Sequence, residues 1–349
     1  MGLSSPDLAS SDELNKYPVL YFHPVSKEMQ SPPRTIVVLG TGGTIAGRAA
    51  TADEHVVYTS AVLPVDQLLA ALPSPDGKLV SESEQVAQVD SKDMDFAIWR
   101  RLAEAVTRHL ARAEVRGVVI THGTDTLEET AYFLARVVDA TKPVVLTAAM
   151  RPASSSEADG PRNLADAIAV AAHAEPGVVV AFAGAVHSAH AVRKAHPSRL
   201  DAFSSGEPGP LAQIVDGAIR PLRAWPTEAQ PSGLAALPED PAAWPWVEIV
   251  TGVAGADGRA VDLLVEGGVA GIVVAATGNG TLHRRLEQAL LRARGRGVAV
   301  LRSTRCLDGS IAASEGDALV AAGDLTPVKA RVELILTLLR AVALPPAGD

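Results

Sequence analysis

The chain has 349 residues, enough for one large core or for two domains, and a net charge of −9 that argues against nucleic acid as its main partner, since phosphate binding needs a basic surface. The single cysteine, Cys306, excludes an intramolecular disulfide and a cysteine-based metal site. With 47% hydrophobic and 20% charged residues, the composition is that of an ordinary soluble globular protein.

Residues 1–33 are polar and mixed in charge, and read as an N-terminal extension without assigned function. They lack the basic start and apolar core of a secretory signal. No run approaches the roughly 18 apolar residues of a membrane span. With Met1 retained, a cytoplasmic location and no membrane contact are expected.

The stretch Ile36 to Leu39 is a continuous apolar run, as in a strand buried on both faces of a parallel sheet. It breaks into Gly40-Thr-Gly-Gly-Thr44, where glycines permit a tight turn and close approach to a ligand. Residues 48–63 are polar and without periodicity; they contain Tyr58 and read as a lid beside a site. A short helix is expected over Val65–Leu72, a turn over residues 73–77 and a strand over Gln85–Val89. After Asp90-Ser-Lys-Asp-Met94 comes a strongly amphipathic helix. Phe96, Trp99, Leu102, Val106 and Leu110 recur on one face, with Asp93 or Asp95 as the cap.

A second apolar strand, Val118–Thr121, leads into His122-Gly-Thr-Asp-Thr126 and a helix over Leu127–Val138. Glu128 and Glu129 lie in its first turn, where the helix dipole favours negative charge. A strand over Pro143–Ala149, a helix over Asn163–Ala172 with Pro161 before it, and a strand over Val178–Ala183 follow. Val186–His196, with Arg193 and Lys194, reads as extended; Asp201–Phe203 and Gly209–Leu211 read as loops. Residues 221–246 hold six prolines and three tryptophans, the composition of a stiff linker. Beyond it, strands over Val247–Thr251, Gly271–Ala276 and Gly297–Leu301 alternate with helices over Val261–Glu266, Leu282–Arg294 and Lys329–Leu339. This alternation predicts a two-domain α/β fold. A larger, mostly parallel sheet flanked by helices spans residues 34–220, the linker 221–246, and a smaller α/β domain 247–349.

The glycine loop is not a nucleotide site. A P-loop takes Lys after its last Gly, where this chain has Thr44, and a dinucleotide fingerprint begun at Gly40 needs Gly or Ala at Ile45. Both threonine loops leave the carboxyl ends of strands, where open α/β sheets bind ligands. Together, Thr41-Gly-Gly-Thr-Ile-Ala-Gly47 and His122-Gly-Thr-Asp-Thr126 resemble the two signatures of the bacterial-type L-asparaginase/glutaminase family, which uses a threonine nucleophile. Family-like features run through most of residues 34–340.

The resemblance implies hydrolysis of L-asparagine to L-aspartate and ammonia, without metal or organic cofactor. It makes Thr44 the nucleophile that forms an acyl-enzyme ester, and Tyr58 its activator. Thr124, Asp125 and Lys194 would form a second network; a lysine in such surroundings can act as a base. Gly43 and Ser91 would contact substrate, Ser91 at the α-carboxylate. Asp125 would hold the α-ammonium, and the Ala149 carbonyl the side-chain amide. His122 would support its loop. The resemblance also implies a homodimer or homotetramer with sites between one subunit's large domain and another's small domain.

The chain departs from the family in two places. Lys92 stands where the family commonly has a small polar or amide residue, and could bind the carboxylate or repel the ammonium. Ala254-Gly-Ala256 offers no asparagine where secreted relatives supply one, and Asp308 or Glu315 are the options for their glutamate. The alternatives are an amidase for L-glutamine, D-asparagine or a β-aspartyl derivative, the amidase subunit of a tRNA-dependent amidotransferase, and a non-catalytic asparagine sensor.

Overall fold

Strand β1 (Arg34–Gly42) is buried on both faces. Ile36 and Val38 belong to one apolar cluster and Val37 and Leu39 to another, all at most 1% exposed. This is why the run shows no polar alternation. The computed structural model describes residues 34–51, 58–72, 79–225, 231–314 and 316–343.

After β1 come the paired two-residue strands β2 (Arg48–Ala49) and β3 (Tyr58–Thr59), then α1 (Val65–Ala70) and β4 (Leu79–Val89). The chain continues through α2 (Phe96–Leu110), β5 (Val115–Thr121), α3 (Leu127–Val137), β6 (Pro143–Thr147), α4 (Gly160–His173) and β7 (Gly177–Phe182). The five longer strands lie in the order β4-β1-β5-β6-β7, all parallel. The chain steps from β1 to one side, then crosses back to β5 on the other. The reversal makes the crevice beyond the carboxyl ends of β1 and β5 the topological switch point of the sheet. Asp95 caps α2, its Oδ1 accepting from the Ile98 N–H at 2.7 Å.

Strand β4 begins at Leu79, earlier than its apolar stretch implies. Its added residues include Glu82 and Glu84, which pair with Arg112 and Arg108 of the α2 region at the sheet edge. Charge on an edge strand hides it from an apolar pattern. Beyond β7 the sheet gains β8 (Ala185–Ser188), antiparallel, and strands β9 (Arg193–Lys194) and β10 (Phe203–Ser204) form a separate ladder. The hairpin β11 (Ala212–Val215) and β12 (Ala218–Pro221) completes the eight-stranded sheet. The sequence reading has no strands there. The signal is Asp216-Gly217, both at positive φ, the pair that closes a two-residue hairpin.

The second sheet is parallel and in sequence order: β13 (Val247–Thr251), β14 (Gly271–Ala276), β15 (Ala299–Thr304) and β16 (Val320–Ala321). Helices α5 (Arg259–Glu266) and α6 (Arg284–Gly295) connect its strands, and α7 (Pro327–Ala343) ends it. Helix α7 packs on β13, β14 and β15 and also on α3 of the larger sheet. One apolar cluster therefore runs from Phe133 and Leu134 through Ile335 and Leu336 to Val273. Trp244, before β13, stacks on Phe96 with ring centroids 4.5 Å apart, so the proline-rich segment is anchored by an aromatic contact. No helix among the described residues is long and apolar enough to cross a membrane.

Candidate active site

Strand β1 ends in glycines because the backbone turns sharply there, with Gly42 at φ 102° and Gly43 at φ 79°. Thr44 opens a one-turn 3-10 helix and is buried. The turn is pinned by Gly43 N–H to the Val89 carbonyl (2.9 Å) and Ala61 N–H to the Gly43 carbonyl (3.1 Å). The β2–β3 ladder pairs Ala49 with Tyr58 and so returns the tyrosine to the turn. The Thr44 and Tyr58 hydroxyls are 2.7 Å apart. Of the lid expected over residues 48–63, residues 52–57 lie outside the described residues.

The second loop is tied to the first. Thr41 Oγ1 donates to the Thr121 carbonyl (2.9 Å) across the β1–β5 pair. A Cβ added to Gly43 would lie 2.4 Å from Gly123 Cα, and one added to Gly123 would lie 2.4 Å from Ser91 Oγ. His122, fully buried, has Nδ1 2.7 Å from the Gly123 carbonyl and Nε2 3.0 Å from Thr130 Oγ1. The carbonyl only accepts, so Nδ1 carries the proton and Nε2 accepts from Thr130. Thr130 in turn accepts from Trp99 Nε1 at 2.9 Å. Burial pushes the His122 pKa down to about 4, so the imidazole is neutral and shapes its loop.

Lys194 brings the remaining groups together. Its Nζ donates to Thr124 Oγ1 (2.9 Å) and to Asp125 Oδ1 (2.6 Å). Its main-chain N–H donates to Glu128 Oε1 at 3.2 Å. Ser91 Oγ accepts from the Asp125 N–H (3.2 Å), and Thr126 Oγ1 donates to the Ser91 carbonyl (2.7 Å). The bond from Asp125 N–H uses a lone pair of the Ser91 hydroxyl and leaves its O–H to donate. The two hydroxyl networks, Thr44–Tyr58 and Thr124–Asp125–Lys194–Ser91, thus meet where Gly43 touches Gly123.

Ala149 is fully buried just after β6, and its neighbours are bound. Asn163 Nδ2 donates to the Ala148 carbonyl (2.9 Å), and Asp159 accepts from the N–H groups of Met150 (2.9 Å) and Arg151 (3.0 Å). The loop after Ala149 reaches the first turn through Ala153 N–H to the Gly47 carbonyl at 3.0 Å. Lys92 behaves differently from the others. Its side chain is 61% exposed, and its ammonium pairs with Asp93 (2.7 Å) and Asp90 (3.4 Å), its sequence neighbours, rather than with either threonine network.

Asn163 and Asp159 carry no role in the sequence reading, and Glu128 carries only a helix-dipole one. Each acts through a contact distant in sequence or through main-chain atoms, which no motif displays. In the smaller part, Asp308 forms an ion pair with Arg193 of its own chain. Glu315 lies outside the described residues, and Ala254–Ala256 form the turn that follows β13. Among the described residues, no group of three or more His, Cys, Asp or Glu gathers to hold a metal ion.

The comparisons with known proteins agree with this arrangement. The family model "Asparaginase, N-terminal" matches residues 35–226, and "Glutaminase/Asparaginase C-terminal domain" matches residues 246–342. The chain is 36% identical to L-asparaginase 2 of Bacillus subtilis (strain 168) over 314 residues, covering 87% of this chain and 82% of that one. It is 33% identical to a glutaminase-asparaginase of Pseudomonas fluorescens biotype A over 330 residues, covering 90% and 89%. The crystal structure of a probable cytoplasmic L-asparaginase from Campylobacter jejuni superposes with a TM-score of 0.82 at 38% identity, over 87% of this chain and 95% of that one. The chain belongs to the bacterial-type asparaginase/glutaminase family and is an amidohydrolase.

Proposed function

We propose that this protein is an L-asparaginase that releases L-aspartate and ammonia through an ester on Thr44. The reading rests on two threonine hydroxyls at the switch point, each with its own polar partner: Tyr58 at 2.7 Å from Thr44, and Lys194 at 2.9 Å from Thr124. Thr44 Oγ1 attacks the amide carbon as its proton passes to the Tyr58 oxygen and the Tyr58 hydroxyl hands its own proton on to the departing amide nitrogen. The C–N bond breaks and the nitrogen leaves as ammonia after taking up a proton. Thr124, oriented by Lys194, positions the water that then hydrolyses the ester and restores the Thr44 hydroxyl. Ser91 donates to the substrate α-carboxylate. Asp125 has acceptor positions left beside the one used by Lys194, and takes the α-ammonium.

The likeness to the Pseudomonas fluorescens protein, named a glutaminase-asparaginase, supports L-glutamine as a second substrate of this protein. Residues 34–220 would form the catalytic domain, 221–246 the linker and 247–349 the smaller domain. A homodimer or homotetramer in the cytoplasm completes the proposal; mass photometry and cell fractionation test those two points.

The deciding experiment is ammonia release from L-asparagine and L-glutamine, each measured beside Thr44→Ala. Asparagine turnover that vanishes in the variant supports both reaction and nucleophile. Turnover of glutamine alone would replace the substrate assignment. Turnover that persists in Thr44→Ala would sink the mechanism.

A further inference from the structure

Lys329, in the first turn of α7, is fully buried and far from either signature in sequence. Its Nζ donates to three main-chain carbonyls of the turn before β9: Ala189 (3.0 Å), His190 (2.7 Å) and Val192. The turn is closed by Val192 N–H to the Ser188 carbonyl (3.0 Å) and by Ala191 N–H to Ser188 Oγ (3.1 Å). The chain then passes directly into Arg193–Lys194. Three acceptors call for three N–H donors, which only the ammonium form supplies.

We infer that Lys329 is a positioning residue for Lys194, setting the depth from which the Lys194 ammonium reaches Thr124 and Asp125. Two clamps from opposite elements bracket β9. Lys329 of α7 holds the carbonyl of Val192, and Glu128 of α3 takes the N–H of Lys194. The second clamp comes from the same loop-to-helix segment that carries Thr124 and Asp125. The lysine and its two targets are thereby measured against one another, with α7 as the outer reference. The charges facing Lys329 are Glu128, Arg193 and Asp324, with His187 also within range of its charge. Burying an ammonium is costly, and an apolar side chain packs a helix–turn contact more cheaply. A cation here therefore answers the need to gather three carbonyls ahead of the catalytic strand. The inference rests on the role proposed above for Lys194.

The test compares Lys329→Met, Lys329→Gln, Lys194→Met and the double variant Lys194→Met/Lys329→Met, by steady-state ammonia release and thermal unfolding. The expected result is a kcat about 100-fold lower in Lys329→Met, the scale of a 1 Å misplacement, with KM within about threefold and a cooperative unfolding transition retained. Lys329→Gln, which keeps two donors, recovers part of the loss. In the Lys194→Met background the second substitution costs nothing further, as coupled residues require. A kcat within about threefold of wild type, a further loss in the double variant, or loss of cooperative unfolding in both Lys329 variants overturns the inference. Near-wild-type turnover in Lys194→Met overturns the role of Lys194 itself, whatever the Lys329 variants do.

Discussion

Gly43 and Gly123 touch backbone to backbone: a Cβ on Gly43 would lie 2.4 Å from both the Cα and the N of Gly123. Gly43 also sits at φ 79°, where an L side chain costs on the order of 1–3 kcal/mol. Gly43→Ala is expected to push the two threonine loops apart, lowering kcat by about 100-fold or more and reducing the melting temperature. Steady-state kinetics with differential scanning calorimetry checks this, and unchanged kinetics would mean the loops need not meet.

Tyr58→Phe removes one hydroxyl from the 2.7 Å contact with Thr44 and leaves the ring in place. A positioned proton acceptor contributes about 10²–10⁴-fold, so kcat should fall by that range with KM little changed. An equal loss through KM alone would make Tyr58 a binding residue.

Lys92→Gln should change KM for L-asparagine by no more than about threefold, because the Lys92 ammonium is exposed and committed to Asp90 and Asp93. A tenfold change in either direction, measured with salt held constant, would show that the side chain leaves its neighbours to meet substrate.

Glu129 lines a cavity of about 260 Å³ with Phe96, Trp99 and Arg331, and burial pushes its pKa up from 4.5 to about 7. The folded state then holds a proton that the unfolded chain gives up between these values. The group's contribution to stability is present below pH 4.5 and is lost as pH rises through 7. Glu129→Gln removes that loss. The variant should be more stable than wild type at pH 8, by at most about 3 kcal/mol, and similar to it near pH 4. Urea unfolding at the two pH values checks the sign.

Asn163→Ala leaves the Ala148 carbonyl and the Ala183 N–H without a buried partner. Unsatisfied buried groups cost about 1–3 kcal/mol, so the melting temperature should fall. KM should rise with it, since the strand end carrying Ala149 loses its anchor. Thermal unfolding and substrate saturation separate the two effects, and a stable variant with unchanged KM would remove Asn163 from the substrate site.

Much of the fold was legible because its cause is local. The apolar runs of β1, β5, β6, β7 and β14 mark strands buried on both faces, and helix α2 shows its stripe in Trp99, Leu102 and Val106. Strand β4 is half hidden because an edge strand carries Glu82 and Glu84, whose partners are Arg112, just beyond α2, and Arg108 within it. Glu128 and Glu129 were read through the helix dipole alone. Burial raises both their pKa values, because α3 is covered by elements far away in sequence.

The same division runs through the site. Local sequence dictates where the backbone must turn and which hydroxyls stand at the strand ends. Glycine at positive φ and threonine after a buried strand are demands that neighbouring residues impose. Lys194 beside Thr124 and Asp125 is foreshadowed only by the family resemblance; packing fixes that contact, keeps Lys92 with its neighbouring carboxylates and buries Lys329 beneath the turn before Lys194. Those outcomes depend on distances between segments up to 140 residues apart, which packing sets and no local pattern encodes.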